Sequence, residues 1–93
     1  MRMEHVSGSN RGKVVLYALS TCGWCAKTKQ LLQELGVDFS YVYVDLLSNE
    51  EMDSVMKDVE KHNPKGSFPT IIINDSTTIV GFREQEIRQV LSE

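Results

Sequence analysis

The sequence predicts a small α/β domain whose elements run strand, helix, strand, helix, strand, strand, helix. Three observations carry this. Short β-branched or aromatic runs alternate with segments of helical spacing. The segments are punctuated by turn residues such as Gly36, Asn63-Pro64-Lys65-Gly66 and Asn74-Asp75-Ser76. A chain of 93 residues with 41% hydrophobic content suits one core rather than two.

Residues 1–12 are polar, with Ser7-Gly8-Ser9-Asn10, and read as a flexible N-terminal arm without the apolar stretch of a signal peptide. Residues 13–93 read as the folded domain. Val14 to Ala18 is a β-branched, apolar run, a buried strand. From Cys25 the spacing turns helical: Cys25, Thr28, Leu32 and Leu35 share one face, with Leu31 beside them. Lys27, Lys29, Gln30, Gln33 and Glu34 face outward. Gly36 is a helix stop. In Val37 to Val44, Phe39, Tyr41 and Tyr43 alternate with Val42 and Val44, which marks a second strand. The strand–helix–strand unit makes these two strands parallel. Ser48 and Glu51 form a capping box ahead of Met52, Val55, Met56 and Val59, an amphipathic helix reaching about His62. Phe68 to Ile73 is the third strand, with Pro69 at its tolerated start. After the Asn74-Asp75-Ser76 turn, Thr77 to Val80 returns antiparallel. Ile87, Val90 and Leu91 mark the apolar face of a last helix.

Charge and hydropathy narrow the function classes. Ten Lys and Arg against 13 Asp and Glu leave a net charge of −3, and no basic cluster forms, which argues against nucleic acid. No apolar run approaches the length of a membrane span. A cytoplasmic, monomeric protein is expected. In a reducing compartment a purely structural disulfide is disfavoured, and a four-residue loop stabilises by only about 2 kcal/mol.

The chemistry centres on the two cysteines, Cys22 and Cys25, three apart where the first strand hands over to the first helix. Unpaired N–H groups of a first helical turn, with the positive end of the dipole, stabilise an anion. The thiolate is such an anion and is the reactive form of cysteine. At an ordinary thiol pKa of about 8.5, roughly 3% is ionised at pH 7. Cys22, at the N-terminal end, receives the field, and Cys25, a turn further in, receives less. The pair therefore divides into an attacking thiolate and a resolving thiol. Helical positions i and i+3 lie about 5 Å apart, within the reach of a disulfide, so the bond can close and open with little backbone movement. Half of a zinc site is the competing reading. Zinc needs four ligands, and the only histidines, His5 and His62, are distant in sequence.

The Cys22-Gly-Trp-Cys25 motif at a helix start, Ser67-Phe68-Pro69-Thr70 opening a later strand, and Gly81 after the hairpin together resemble the glutaredoxins. The resemblance covers about residues 13 to 93. It implies a thioredoxin-like fold with a four-stranded mixed sheet, strand order 2-1-3-4, flanked by three helices. It implies a cis Phe68–Pro69 peptide against the sulfurs and a dithiol–disulfide oxidoreductase acting on protein disulfides or small-thiol mixed disulfides. Cys22 matches the family's nucleophile and Cys25 its resolving cysteine. The resemblance assigns Thr21, Trp24, Lys65, Phe68, Pro69, Gly81, Phe82 and Arg83 to substrate binding, and no metal or resident cofactor beyond the redox-active disulfide.

Departures from the family pattern bear on the electron donor. Leu19 stands where many glutaredoxins carry a Lys that pairs with glutathione, and Gly23 where Pro follows the nucleophile. Gly81-Phe82-Arg83 looks like the glutaredoxin-like redoxins that accept electrons from a flavoprotein reductase. The expected donor is a small thiol, not clearly glutathione, or such a reductase. The alternative function is an iron–sulfur carrier, with Cys22 at a dimer interface and small thiols completing the four ligands.

Overall fold

The computed structural model describes residues 3–91. Met1 and Arg2 of the expected arm, and Ser92 and Glu93 at the expected end of the domain, lie outside the described residues. The chain runs β1 (Glu4–Val6), β2 (Val14–Ala18), α1 (Gly23–Glu34), β3 (Phe39–Tyr43), a 3-10 turn (Val44–Leu46), α2 (Asn49–His62), β4 (Thr70–Ile73), β5 (Thr77–Val80) and α3 (Glu84–Leu91).

The sheet has five strands in the order β1-β3-β2-β4-β5. Four of them reproduce the expected thioredoxin-like arrangement: β2 and β3 are parallel, and β4 and β5 follow antiparallel. The fifth corrects the expectation of four. Residues 4–6, placed by the sequence in a flexible arm, pair antiparallel with β3, Val6 opposite Phe39. Ser9 continues the attachment, its N–H donating to the Gly36 carbonyl at 2.7 Å and its carbonyl accepting from Asp38 N–H at 2.8 Å. These are backbone bonds, which close the exposed edge of β3 without needing an apolar pattern.

β2 is buried throughout, and its side chains alternate between two cores. Val14, Leu16 and Ala18 face α1 and α3, meeting Leu31, Leu32, Ile87 and Leu91. Val15 and Tyr17 face α2, meeting Val55 and Val59. The result is a three-layer α/β/α sandwich. α1 stops where expected: Leu35 is its C-cap and Gly36 follows at φ 69°, a conformation glycine adopts without strain. α2 starts on the capping box, with the Ser48 hydroxyl accepting from Glu51 N–H at 3.2 Å. Lys29, expected on the outer face of α1, is half-buried instead, its ammonium 4.1 Å from the Tyr41 ring centroid. Because β2 and β3 are parallel, both deliver the chain to the same edge of the sheet, where α1 begins and the 3-10 turn follows.

Candidate active site

Cys22 is the N-cap of α1, with extended backbone at φ −94° and ψ 118°. Its sulfur takes the place a Ser or Asp oxygen occupies in an ordinary cap, accepting from Cys25 N–H at 3.1 Å. The first turn of α1 contains no acidic residue. Cys22 is half-buried, whereas Cys25 is only 1% exposed. Burial pushes the Cys25 thiol up to about 12, helped by its hydrogen bond to Cys22 and the negative charge of Asp45, against a backbone contact at Leu19. The two thiols therefore sit in different surroundings three residues apart, and both are free.

Beside them a cleft of about 220 Å³ is lined by Trp24, Phe68, Pro69, Gly81 and Phe82. The Phe68–Pro69 peptide is cis, as the resemblance implies. Gly81 has φ 84° and donates its N–H to the Pro69 carbonyl at 2.9 Å, tying the end of β5 to the proline loop. A side chain at that φ would be strained. Trp24 is 58% exposed and stacks on Phe82, ring centroids 5.7 Å apart. The backbone of Trp24 is pinned by the Thr28 hydroxyl, which donates to its carbonyl at 2.8 Å.

Five of the eight expected substrate-binding residues thus line one cleft. The other three stand apart from its lining. Thr21 is exposed in the turn just before Cys22, and Lys65 is exposed beyond the C-terminus of α2. Arg83 is exposed and donates from Nε to the Val80 carbonyl at 3.0 Å. Leu19, in place of a cation, is half-buried and packs against the α2 core.

Two supporting residues escaped the sequence reading. Asn63 is buried, and its amide donates to the Ser67 carbonyl at 3.2 Å and to Thr70 Oγ1 at 3.1 Å. Thr70 donates in turn to the Ser67 carbonyl at 2.7 Å. This network sets the path of the loop that presents Phe68 and Pro69. In sequence Asn63 shows only as a helix breaker. The second is Asp45, which binds Ser20 ahead of Cys22. No local pattern announces a contact between residues 25 apart in sequence.

No described helix is long and apolar enough to cross a membrane. Among the described residues no group of three or more His, Cys, Asp or Glu side chains gathers as a metal site.

Residues 14–77 match the family model described as Glutaredoxin. The chain is 35% identical, over 82 residues, to an uncharacterized glutaredoxin-like 8.6 kDa protein in the rubredoxin operon of Clostridium pasteurianum, covering 86% of this chain and 99% of that one. Among solved structures it resembles the glutaredoxin from Methanosarcina mazei Go1, with 57% identity, TM-score 0.92, and 100% of this chain and 90% of that one covered. It is also similar to Methanosarcina acetivorans methanoredoxin, with 55% identity, TM-score 0.93, and coverage of 100% and 97%.

Proposed function

From the premise that this chain belongs to the glutaredoxin family, and is a thiol–disulfide oxidoreductase, we propose that Cys22 is the attacking sulfur and Cys25 the resolving one. The observation that carries the assignment is the contrast in their surroundings. Cys22 is half-buried at a helix start, bonded to an N–H, and Cys25 is buried and held protonated.

In the proposed cycle the Cys22 thiolate attacks one sulfur of a substrate disulfide. A new S–S bond forms, and the other substrate sulfur leaves with the electron pair and takes up a proton from solvent. Cys25 then loses its proton and attacks Cys22 Sγ. The mixed disulfide breaks, the second substrate sulfur leaves as a thiol, and a Cys22–Cys25 disulfide remains. Two electrons have passed from the protein to the substrate. An external dithiol or two thiols return them. The Trp24–Phe82 stack and the Phe68-Pro69 loop give the substrate chain an apolar surface beside the sulfurs, and Thr21, Lys65 and Arg83, which stand apart from that lining, are the proposed polar contacts.

Protein disulfides and small-thiol mixed disulfides are the proposed substrates, and a small acidic thiol or a flavoprotein reductase the proposed donor. Leu19 supports this, since it offers no charge to a glutathione carboxylate. A charge-assisted bond contributes about 1.5–3 kcal/mol, so its loss weakens binding about ten- to a hundredfold. Glutathione is expected to reduce the oxidised protein slowly. Leu19→Lys is expected to raise the glutathione-coupled rate more than the rate with dithiothreitol, which is neutral. Efficient glutathione coupling in the natural protein, unchanged by Leu19→Lys, would contradict the donor assignment. An iron–sulfur carrier would need thiolates from a second copy and from small thiols, because one chain gathers no ligand set among its described residues.

A further inference from the structure

β2 and β3 run parallel, so the turn after β2 and the 3-10 turn after β3 meet at one edge of the sheet. There the Asp45 carboxylate faces Ser20, two residues before Cys22. Ser20 N–H donates to Asp45 Oδ1 at 2.8 Å, and the Ser20 hydroxyl donates to Asp45 Oδ2. One carboxylate thus takes both donors of one residue, fixing its backbone and its side chain together. The turn is closed further by Cys22 N–H, which donates to the Leu19 carbonyl at a longer 3.3 Å. Among the described residues Asp45 has no Lys, Arg or His in ion-pair contact, so its charge stays uncompensated.

We propose that Asp45 is a positioning residue for thiol exchange, its doubly bonded carboxylate fixing the Ser20-Thr21 turn that carries Cys22 into the start of α1. This rests on Cys22 being the nucleophile. The same charge acts on the second thiol. Burial chiefly disfavours a thiolate at Cys25, the hydrogen bond with the Cys22 sulfur adds to it, the backbone at Leu19 opposes it, and the Asp45 charge adds a further push in the same direction as burial. Asp45 therefore adds to the difference between the two sulfurs that burial of Cys25 creates. The Ser20 hydroxyl and N–H hold the Asp45 carboxyl below the usual carboxylate range, so it stays charged through neutral and mildly acid pH.

Asp45→Asn tests this, because the carboxamide keeps an acceptor for Ser20 N–H but loses the charge and the acceptor for the hydroxyl. With insulin as substrate and dithiothreitol as donor, kcat/KM is expected to fall about tenfold. The pH profile for iodoacetamide alkylation of Cys25 is expected to move to lower pH. A merely structural contact would lower thermal stability and leave that profile in place. Ser20→Ala, which keeps the charge and the N–H bond, is expected to lower kcat/KM about threefold without moving the Cys25 profile, and it carries the test if Asp45→Asn does not fold. Rates within about twofold of the natural protein in both variants would overturn the proposal, as would an unmoved Cys25 profile in Asp45→Asn. If the natural protein alkylates at Cys25 before Cys22 at pH 7, the nucleophile assignment itself fails. Unchanged variant rates with Cys22 alkylated first would remove the role of Asp45 alone.

Discussion

The two longer helices of this protein begin in opposite ways. α2 opens with an ordinary, closed cap: Ser48 and Glu51 bond each other reciprocally, and Glu50 and Glu51 place negative charge in the first turn. These bonds hold the Glu51 carboxyl below its usual range. α1 opens on a sulfur, with no acid in its first turn and a tryptophan on its rim. At α2 the positive end of the helix is satisfied by carboxylates and contributes to stability. At α1 it faces the sulfur of Cys22, the side chain we propose reacts as a thiolate. On the proposed assignment of Cys22, the difference teaches that the same N-terminal physics is used once for folding and once for reactivity.

The comparison can be broken most severely at the cap sulfur. Cys22→Ser keeps a cap of similar shape, and Ser is a favoured N-cap residue, so the fold is expected to survive. Disulfide reduction in an insulin assay is expected to disappear, because no thiolate is left to start the reaction. Cys25→Ser is expected to stop one step later. It should accumulate a covalent adduct on Cys22 with protein substrates, visible as a mass increase, while exchange with small-thiol mixed disulfides persists.

A milder change makes the start of α1 resemble that of α2. Gly23 has open space where a side chain would go, and its φ is outside the left-handed region. Gly23→Asp is therefore expected to fold and to gain about 0.3–1 kcal/mol from the helix dipole in urea unfolding. Its carboxylate would sit beside the reacting sulfur, and the rate of disulfide reduction at pH 7 is expected to fall about three- to tenfold. Stability and activity moving in opposite directions is the signature of the account. A parallel gain in both would break it.

The smallest effect is expected at the other helix. Ser48→Ala removes the closed cap of α2 and should lower stability by about 1 kcal/mol. In a domain of this size that corresponds to about 4–8 °C in Tm by differential scanning calorimetry. The exchange rate is expected to stay unchanged, since this cap has no role in the chemistry.

Most of this arrangement is legible in the sequence because it is local. The capping box, the β-branched run of β2, the 3.6-residue spacing of Thr28, Leu31 and Leu32, and the Cys22–Cys25 pair are all short-range patterns. The sheet order and the role of Pro69 needed the family resemblance. What stayed hidden depends on backbone or on distance. Glu4-His5-Val6 has no apolar alternation, and its pairing with β3 runs through main-chain bonds, while the His5 ring Nε2 and Gly8 N–H bond the Asp38 carboxylate at 2.9 and 3.1 Å. The Trp24–Phe82 stack joins residues that each looked like binding candidates, while their contact is a product of the fold. Asp45 falls just past the expected second strand and drew no reading, and Asn63 read only as a helix breaker. Each holds an active-site loop through hydrogen bonds that only three-dimensional proximity reveals.

The central claim is that the helix start divides the two thiols into unequal partners. The most direct measurement is timed iodoacetamide labelling of the fully reduced protein across pH, with the modified cysteine identified by peptide mass. Cys22 is expected to be labelled alone at pH 7. Cys25, whose thiol is pushed up to about 12, is expected to react only as the pH climbs well above the ordinary thiol range. Labelling of Cys25 before Cys22, or of both at equal rates at pH 7, would contradict the account.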